Sequence, residues 1–318
     1  MTAINCDDHV PDRKNFKPVL SGILLCVFFF LIGSPLSHGA VMTGGETVYR
    51  VVKGDSLLLI GATFGVDVAA LAKENGLTPA RHLQPGQELR LNTRKIAPKA
   101  VDNGIVIDIP GRMLYSFLAG KLAMSFPVGL GMPQWQGITR WRTPSGTFSI
   151  TGKEQNPTWY VPESIQWQLQ LEGRPILTTV PPGPDNPLGR FVLYMSIKGM
   201  CIHETIWPTT VYTFRSHGCI RVLPQHIERF YAEVAAGTHG ELVYEPVKAA
   251  VTDEGEVFLQ VDPDVYGKAG NLMAAATRRI NELEASEKVD WDKVRRTVLD
   301  RSGAAVNITR QAESLKNH

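Results

Sequence analysis

The sequence predicts a multi-domain, mainly β protein: a small βααβ module, then a β-sandwich-like domain, then a short and partly helical C-terminal extension. Three observations carry this reading. Residues 47–92 order as strand, helix, helix, strand; from Gly104 onward short alternating strands are punctuated by Gly and Pro; past Val251 helix-forming residues take over. At 318 residues with 43% hydrophobic and 20% charged side chains, the chain is long and apolar enough for more than one core. A formal net charge of +2 and the lack of a dense basic cluster give no reason to expect a nucleic-acid partner.

The elements follow in order. Arg13, Lys14 and Lys17 precede the apolar run VLSGILLCVFFFLIG, and Ser37 and Gly39 stand as small residues before Ala40. Charged, apolar, then small is the layout of a secretory signal peptide over residues 1–39, the alternative being an uncleaved membrane anchor. Either way the remainder is expected outside the cytoplasm, in the periplasm or cell envelope, with the membrane touched only through an uncleaved N-terminus. In residues 47–92, YRVV is a short strand, and Gly54-Asp55-Ser56 turns into a helix that Asp55 or Ser56 can cap. Leu57, Ile60 and Phe64 recur at helical spacing. A second helix covers Asp67 to Glu74, Asn75-Gly76 stops it, and PGQELRL supplies a turn and a closing strand.

Residues 93–103 form a polar linker. The segments IVIDIPG, RMLYSFLAG, LAMSFPVGLG, TPSGTFSI, RFVLYMSIKG and MCIHET then read as strands of a domain spanning 104–247. VPPGPDNPLGR (180–190) is too proline-rich for a core strand and reads as a stiff surface loop. Pro224 opens a helix with Ile227, Phe230 and Tyr231 on one face. In the extension, 251–318, VFLQVDPDVYG adds a strand and the rest reads as a helical pair.

Four cysteines are present, and Cys6 and Cys26 fall in the segment expected to be removed. Cys201 and Cys219 remain, too few for a disulfide-stapled scaffold. Cys219 sits in FRSHGCIRV. A cysteine nucleophile needs a base, a group to orient that base, and donors for an oxyanion. Gly218 permits a sharp turn that offers main-chain N–H groups, and His217 and His203 are the candidate bases. His217 and Cys219, two apart, share a strand face; Cys201 and His203 share another. From the residues alone four fates stay open for Cys219: nucleophile, buried thiol, a disulfide with Cys201, or a ligand in a His203/His217/Cys219 metal site.

The wider pattern narrows this. Tyr49, Gly54, Asp55, Ser56, Leu57, Ile60, Leu71, Asn75, Pro85, Gly86 and Leu89 make residues 47–92 resemble a LysM module. That resemblance implies binding of N-acetylglucosamine-containing glycan near Gly54, Asp55, Ser56 and Asn75. TPSGTFSITGKEQNPTW, PPGPDNPLGR, IHET and SHGCIRV, in this order with His203 sixteen positions before Cys219, resemble the L,D-transpeptidase catalytic domain. That resemblance implies a peptidoglycan partner, no cofactor and no metal. Cys219 is expected to attack the tetrapeptide stem and expel D-alanine, with a lipoprotein as one possible acceptor of the acyl group. His203 is implied as the base, oriented by the carbonyl of the next residue. Ser216, His217 and Gly218 are implied to shape the pocket and oxyanion site, with Arg221 beside it. Glu204 stands where the family usually has glycine and is expected to influence the pocket. A stem-peptide hydrolase and an inactive wall-binding protein are the competing expectations.

Overall fold

A computed structural model describes residues 41–311. The expected signal peptide or anchor lies outside the described residues. Among the described residues no helix is long and apolar enough to cross a membrane.

The chain opens with β1 (Met42–Thr43) and β2 (Glu46–Arg50), then α1 (Leu57–Phe64), α2 (Val68–Glu74) and β3 (Glu88–Asn92), with β4 (Lys95–Ile96) returning to pair with β1. β2 and β3 form an antiparallel ladder centred on Val48 and Arg90. Leu57 and Ile60 of α1, Leu71 of α2, and Leu89 and Leu91 of β3 close a small core between them. Ser56 caps α1 by accepting from the Leu59 N–H, and Gly65 ends it in the left-handed region, φ 67°. Asp67 caps α2.

Nine of the next strands build the central sheet. β5 (Gly104–Asp108), β6 (Met113–Leu118), β7 (Lys121–Gly131) and β8 (Gly146–Gln155) are followed by a covering segment of β9 (Trp159–Tyr160), α3 (Glu163–Leu171) and β10 (Thr179–Val180). Then come β11 (Phe191–Met195), β12 (Cys201–Glu204), β13 (Phe214–Ser216), β14 (Ile220–Val222), α4 (Pro224–Glu233) and β15 (His239–Val243). The order is β13-β7-β14-β12-β11-β8-β15-β5-β6, and β6 also pairs with β7. The mainly β domain is therefore one barrel-like sheet that closes through the long β7. Ile107, Leu114, Phe126, Val128, Leu193, Ile202, Ile220, Ile227 and Phe230 fill its interior, the last two from the apolar face of α4.

The remaining strands are β16 (Val247–Val251), β17 (Val257–Val261) and β18 (Ala305–Asn307), a three-stranded sheet packed by α5 (Leu272–Glu282) and α6 (Trp291–Asp300). Val257, Leu259, Ala276, Ile280 and Val294 give this part its own core. The expected helical pair is there, but it covers a sheet.

Candidate active site

The site is built where β12 and β14 run side by side. They pair in parallel, Ile202 opposite Ile220 and His203 opposite Arg221. Alternation then puts Cys201 and His203 on one face of β12, with Cys219 and Arg221 beside them on β14 and its approach. Cys219, His203, Ser216, His217 and Arg221 all open into one cavity of about 600 Å3, lined also by Trp159, Ile165 and Leu169 of the covering segment and by Leu188 of the loop that follows it. Its charged lining is Arg140, Arg174, Lys198 and Arg221 against Asp185.

The turn that delivers the cysteine is tied from three sides. The Ser216 hydroxyl donates to the Cys219 carbonyl at 2.6 Å and accepts from the Gly218 N–H at 3.1 Å. Thr143 Oγ1 donates to the Gly218 carbonyl at 2.9 Å and accepts from the Gly131 N–H. Gly218 sits at φ 111°, a region closed to side chains that carry a Cβ. Its N–H, expected to serve an oxyanion, is already taken by Ser216; the Cys219 N–H has no acceptor among the described hydrogen bonds.

His203 is 5% exposed, and its Nδ1 lies 2.6 Å from the Glu204 carbonyl. With Nδ1–H donating there, Nε2 carries the lone pair. Burial, reinforced by the Arg221 charge, pushes the ring down to about 4, although the Glu204 and Pro187 carbonyls favour its protonated form. His203 is thus neutral at pH 7. His217 stacks edge-on against Trp141, centroids 4.4 Å apart, and its Nε2 is buried without a partner among the described residues. Burial and Arg221 likewise push it down to about 4.

The Cys219 sulfur lies 3.6 Å from that of Cys201 and 3.7 Å from the Gly199 carbonyl. Both thiols are free. A hydrogen bond from Cys201 pulls the Cys219 thiol below its ordinary range against the cost of burial, and Arg221 adds to the effect. Cys201 shifts the opposite way, well above the ordinary thiol range, through that bond and its burial. Among the described residues no group of three or more His, Cys, Asp or Glu side chains is placed to hold a metal ion.

Glu204 departs from expectation. It follows His203 on β12, so alternation turns it to the opposite face, away from the cavity. There its carboxylate accepts from the Arg190 N–H at 2.6 Å and from Arg190 Nε at 3.2 Å. A Cβ on Gly189 would collide with it at 2.5 Å. Glu204 is a clasp for the end of the 181–190 loop, and its contribution to the site is its main-chain carbonyl. The same loop is stapled by fully buried Asn186, whose amide donates to the Pro157 carbonyl at 2.8 Å.

In the N-terminal module, the Asp55 carboxylate accepts from the Tyr49 hydroxyl and the Val52 N–H, both at 2.8 Å. Asn75 donates to the Leu71 and Arg90 carbonyls and accepts from the Arg90 N–H. With Ser56 occupied as a cap, these candidate glycan-binding side chains are engaged in the fold. Gly54, φ 97°, is exposed at the turn. The module docks α1 on the other domain: Ala62 packs with Val211 and Leu223. Val211 belongs to the loop joining β12 to β13, so the module leans on the connection between His203 and Cys219.

A depressed cysteine and a neutral, main-chain-oriented histidine in one open, cationic cavity are the equipment of a cysteine-dependent acyl-transfer enzyme. The comparisons agree. Residues 102–248 match the YkuD family model, the L,D-transpeptidase catalytic domain, and residues 49–92 match the LysM domain. The chain is similar to the probable L,D-transpeptidase YcfS of Escherichia coli K12, 26% identical over 289 residues that cover 88% of this chain and 89% of that one. It is also similar to the probable L,D-transpeptidase ErfK/SrfK of Salmonella typhimurium LT2, 25% identical and covering 90% and 94% of the two chains. The chain carries an L,D-transpeptidase catalytic domain behind a LysM domain, and is an acyltransferase.

Proposed function

We propose that the protein works outside the cytoplasm as a peptidoglycan L,D-transpeptidase, with residues 104–247 catalysing and the 47–92 module holding the wall. The observation that carries this reading is the shared cavity of Cys219 and His203, with His203 Nδ1 held by the Glu204 carbonyl. Cys219 attacks the carbonyl between the third and fourth residues of a tetrapeptide stem. The Cys219 N–H receives the developing oxyanion, and His203 Nε2 takes and returns the proton as D-alanine leaves. An amine acceptor then enters, gives its proton to His203 and resolves the thioester. Four basic side chains against Asp185 suit a donor stem that carries free carboxylates. The module would meet glycan through its exposed turns, chiefly by main chain around Gly54 and Asn75. Tyr160 and Trp207, exposed on the cover and at the rim, leave an apolar approach for the acceptor, a second stem or a lipoprotein amine.

The test is incubation of the mature protein with tetrapeptide muropeptides and mass spectrometry of the products. Released D-alanine together with cross-linked or amine-exchanged stems supports transfer, and Cys219→Ala should release none. Shortened stems alone would make the protein a hydrolase; release at the wild-type rate from Cys219→Ala would remove Cys219 from the chemistry.

A further inference from the structure

Acyl transfer uses one of the two thiols. Cys201 is buried, lies one strand over from the nucleophile, and has its sulfur 3.6 Å from that of Cys219. We propose that this pair is a second reactive site, at which Cys219 reduces a hydroperoxide and Cys201 resolves the product as an intramolecular disulfide.

The geometry permits the bond. Neighbouring strands lie roughly 4.8 Å apart, within the Cα separation of about 4.4–6.8 Å that a disulfide spans. The parallel register brings the two cysteines level, each immediately before the paired residues Ile202 and Ile220. Closing 3.6 Å to a bond of ~2.05 Å takes side-chain rotation with the ladder kept. The cavity also separates their roles. Cys219 lines it and meets small molecules from solvent; Cys201, at 8% exposure, is not among its lining residues. The half-buried thiol that lines the cavity, its pKa lowered, is oxidised first, and the buried one, its pKa raised, waits beside it.

The steps balance. The Cys219 thiolate attacks the outer oxygen of ROOH, the O–O bond breaks, and with one proton ROH leaves, giving a Cys219 sulfenic acid. The Cys201 sulfur attacks the sulfenic sulfur, the S–O bond breaks, and the Cys201 proton leaves with the hydroxyl as water. Two thiols and one hydroperoxide become one disulfide, one alcohol and one water. An external dithiol reverses it by exchange and is itself oxidised. The disulfide caps the nucleophile and keeps it from the irreversible sulfinic state. The pairing depends on the 3.6 Å approach of the two sulfurs and not on the acyl acceptor, so its readout is mass and thiol count, independent of transpeptidase activity.

The mature protein and Cys201→Ser are each treated with excess hydrogen peroxide, then alkylated and analysed by intact mass and peptide mapping. Wild type should lose two hydrogens, lose both alkylatable thiols, map to a Cys201–Cys219 peptide, and regain both thiols with dithiothreitol. Cys201→Ser should gain oxygens on Cys219 and advance to the sulfinic state beyond rescue by dithiothreitol. Wild type that keeps Cys201 alkylatable while Cys219 takes up two oxygens would overturn the proposal, as would disulfide-linked dimers in place of the internal bond. The wild-type arm decides the matter even if the variant does not fold.

Discussion

Two regions of the molecule bury ionisable groups, and they do so to opposite ends. In the cleft, His203, His217 and Arg221 face an open cavity with no carboxylate among their hydrogen-bond partners in the described residues. At the junction between the barrel, the linker and the extension, buried ammonium and carboxylate groups find partners. Lys248 Nζ donates to Asp108 at 2.7 Å and to Asp262 at 2.8 Å, and Gln260 donates to Asp262 while accepting from the Ile96 N–H. Beside them Lys95 donates to the Tyr212 hydroxyl, and the Arg112 guanidinium lies 4.0 Å above the Tyr212 ring and donates to its carbonyl. Both regions displace pKa values. Burial drives Asp108 up to about 6 despite Lys248, and drives the cleft histidines down. Displacement alone therefore does not mark a site. A displaced group opening on space a ligand can enter does.

His203→Ala tests the cleft half of this contrast and carries the largest expected effect. Loss of the base should lower D-alanine release by about 10²–10⁴-fold, with the urea midpoint little changed. A variant within a few-fold of wild type would leave the histidine a packing residue.

Lys248→Met tests the junction half. It leaves two buried carboxylates without their cation and should cost about 3–5 kcal/mol in denaturant unfolding. Release per folded molecule should stay within a few-fold. Tyr212, at φ 57°, ties this junction to the loop between His203 and Cys219. A fall in turnover matching that of His203→Ala would therefore mean the junction sets the site and that the two regions are one.

The contrast also explains what was legible in the sequence. Cys219 and His203 stand out because their chemistry depends on residue type and spacing. The strands of the barrel and the βααβ order stand out because their periods are clean, and Leu57, Ile60, Ile227 and Phe230 pack as their spacing predicts. Glu204 was misplaced for want of one step, since alternation from His203 sends it to Arg190. Helix α3 was missed: Glu163–Leu171 is largely polar and shows a weak apolar face, with only Leu169 buried. Trp141 and Arg140 reach the cleft from far along the chain, and no local pattern announces them; Thr143 opens the TPSG stretch, but its tie to the Gly218 carbonyl forms only in the fold. The junction was invisible because its members, from Lys95 to Gly303, meet only in the folded chain.

Acid should pull the two regions in opposite directions. His203 and His217 bind a proton near 6.5 when unfolded but only near 4 when folded, so the unfolded chain takes up protons that the native one refuses. Their contribution is present above 6.5 and is lost as pH falls toward 4. Asp108 is raised from 3.8 to about 6, so the native state holds its proton more tightly and that group favours folding as pH falls through the same window. Two histidines outweigh one carboxylate, and unfolding free energy measured in urea should fall from pH 6.5 to 4. In the His203→Gln/His217→Gln double variant the fall should flatten or reverse. An unchanged acid limb would mean that the buried histidines are not what the native state defends.

The smallest expected effect lies inside the cleft, where the two thiols meet. Cys201 donates to Cys219, and that hydrogen bond is the foremost cause of the lowered Cys219 thiol; Arg221 is a lesser one. Removing the donor in Cys201→Ala should raise the pH midpoint for alkylation of Cys219 by iodoacetamide toward the ordinary thiol range. Cys201→Ser keeps a donor at the same place and should hold the midpoint near that of wild type. A merely structural role would move both variants alike or neither. If the midpoint stays low in both, Arg221 supplies the field, and Arg221→Gln should raise it instead.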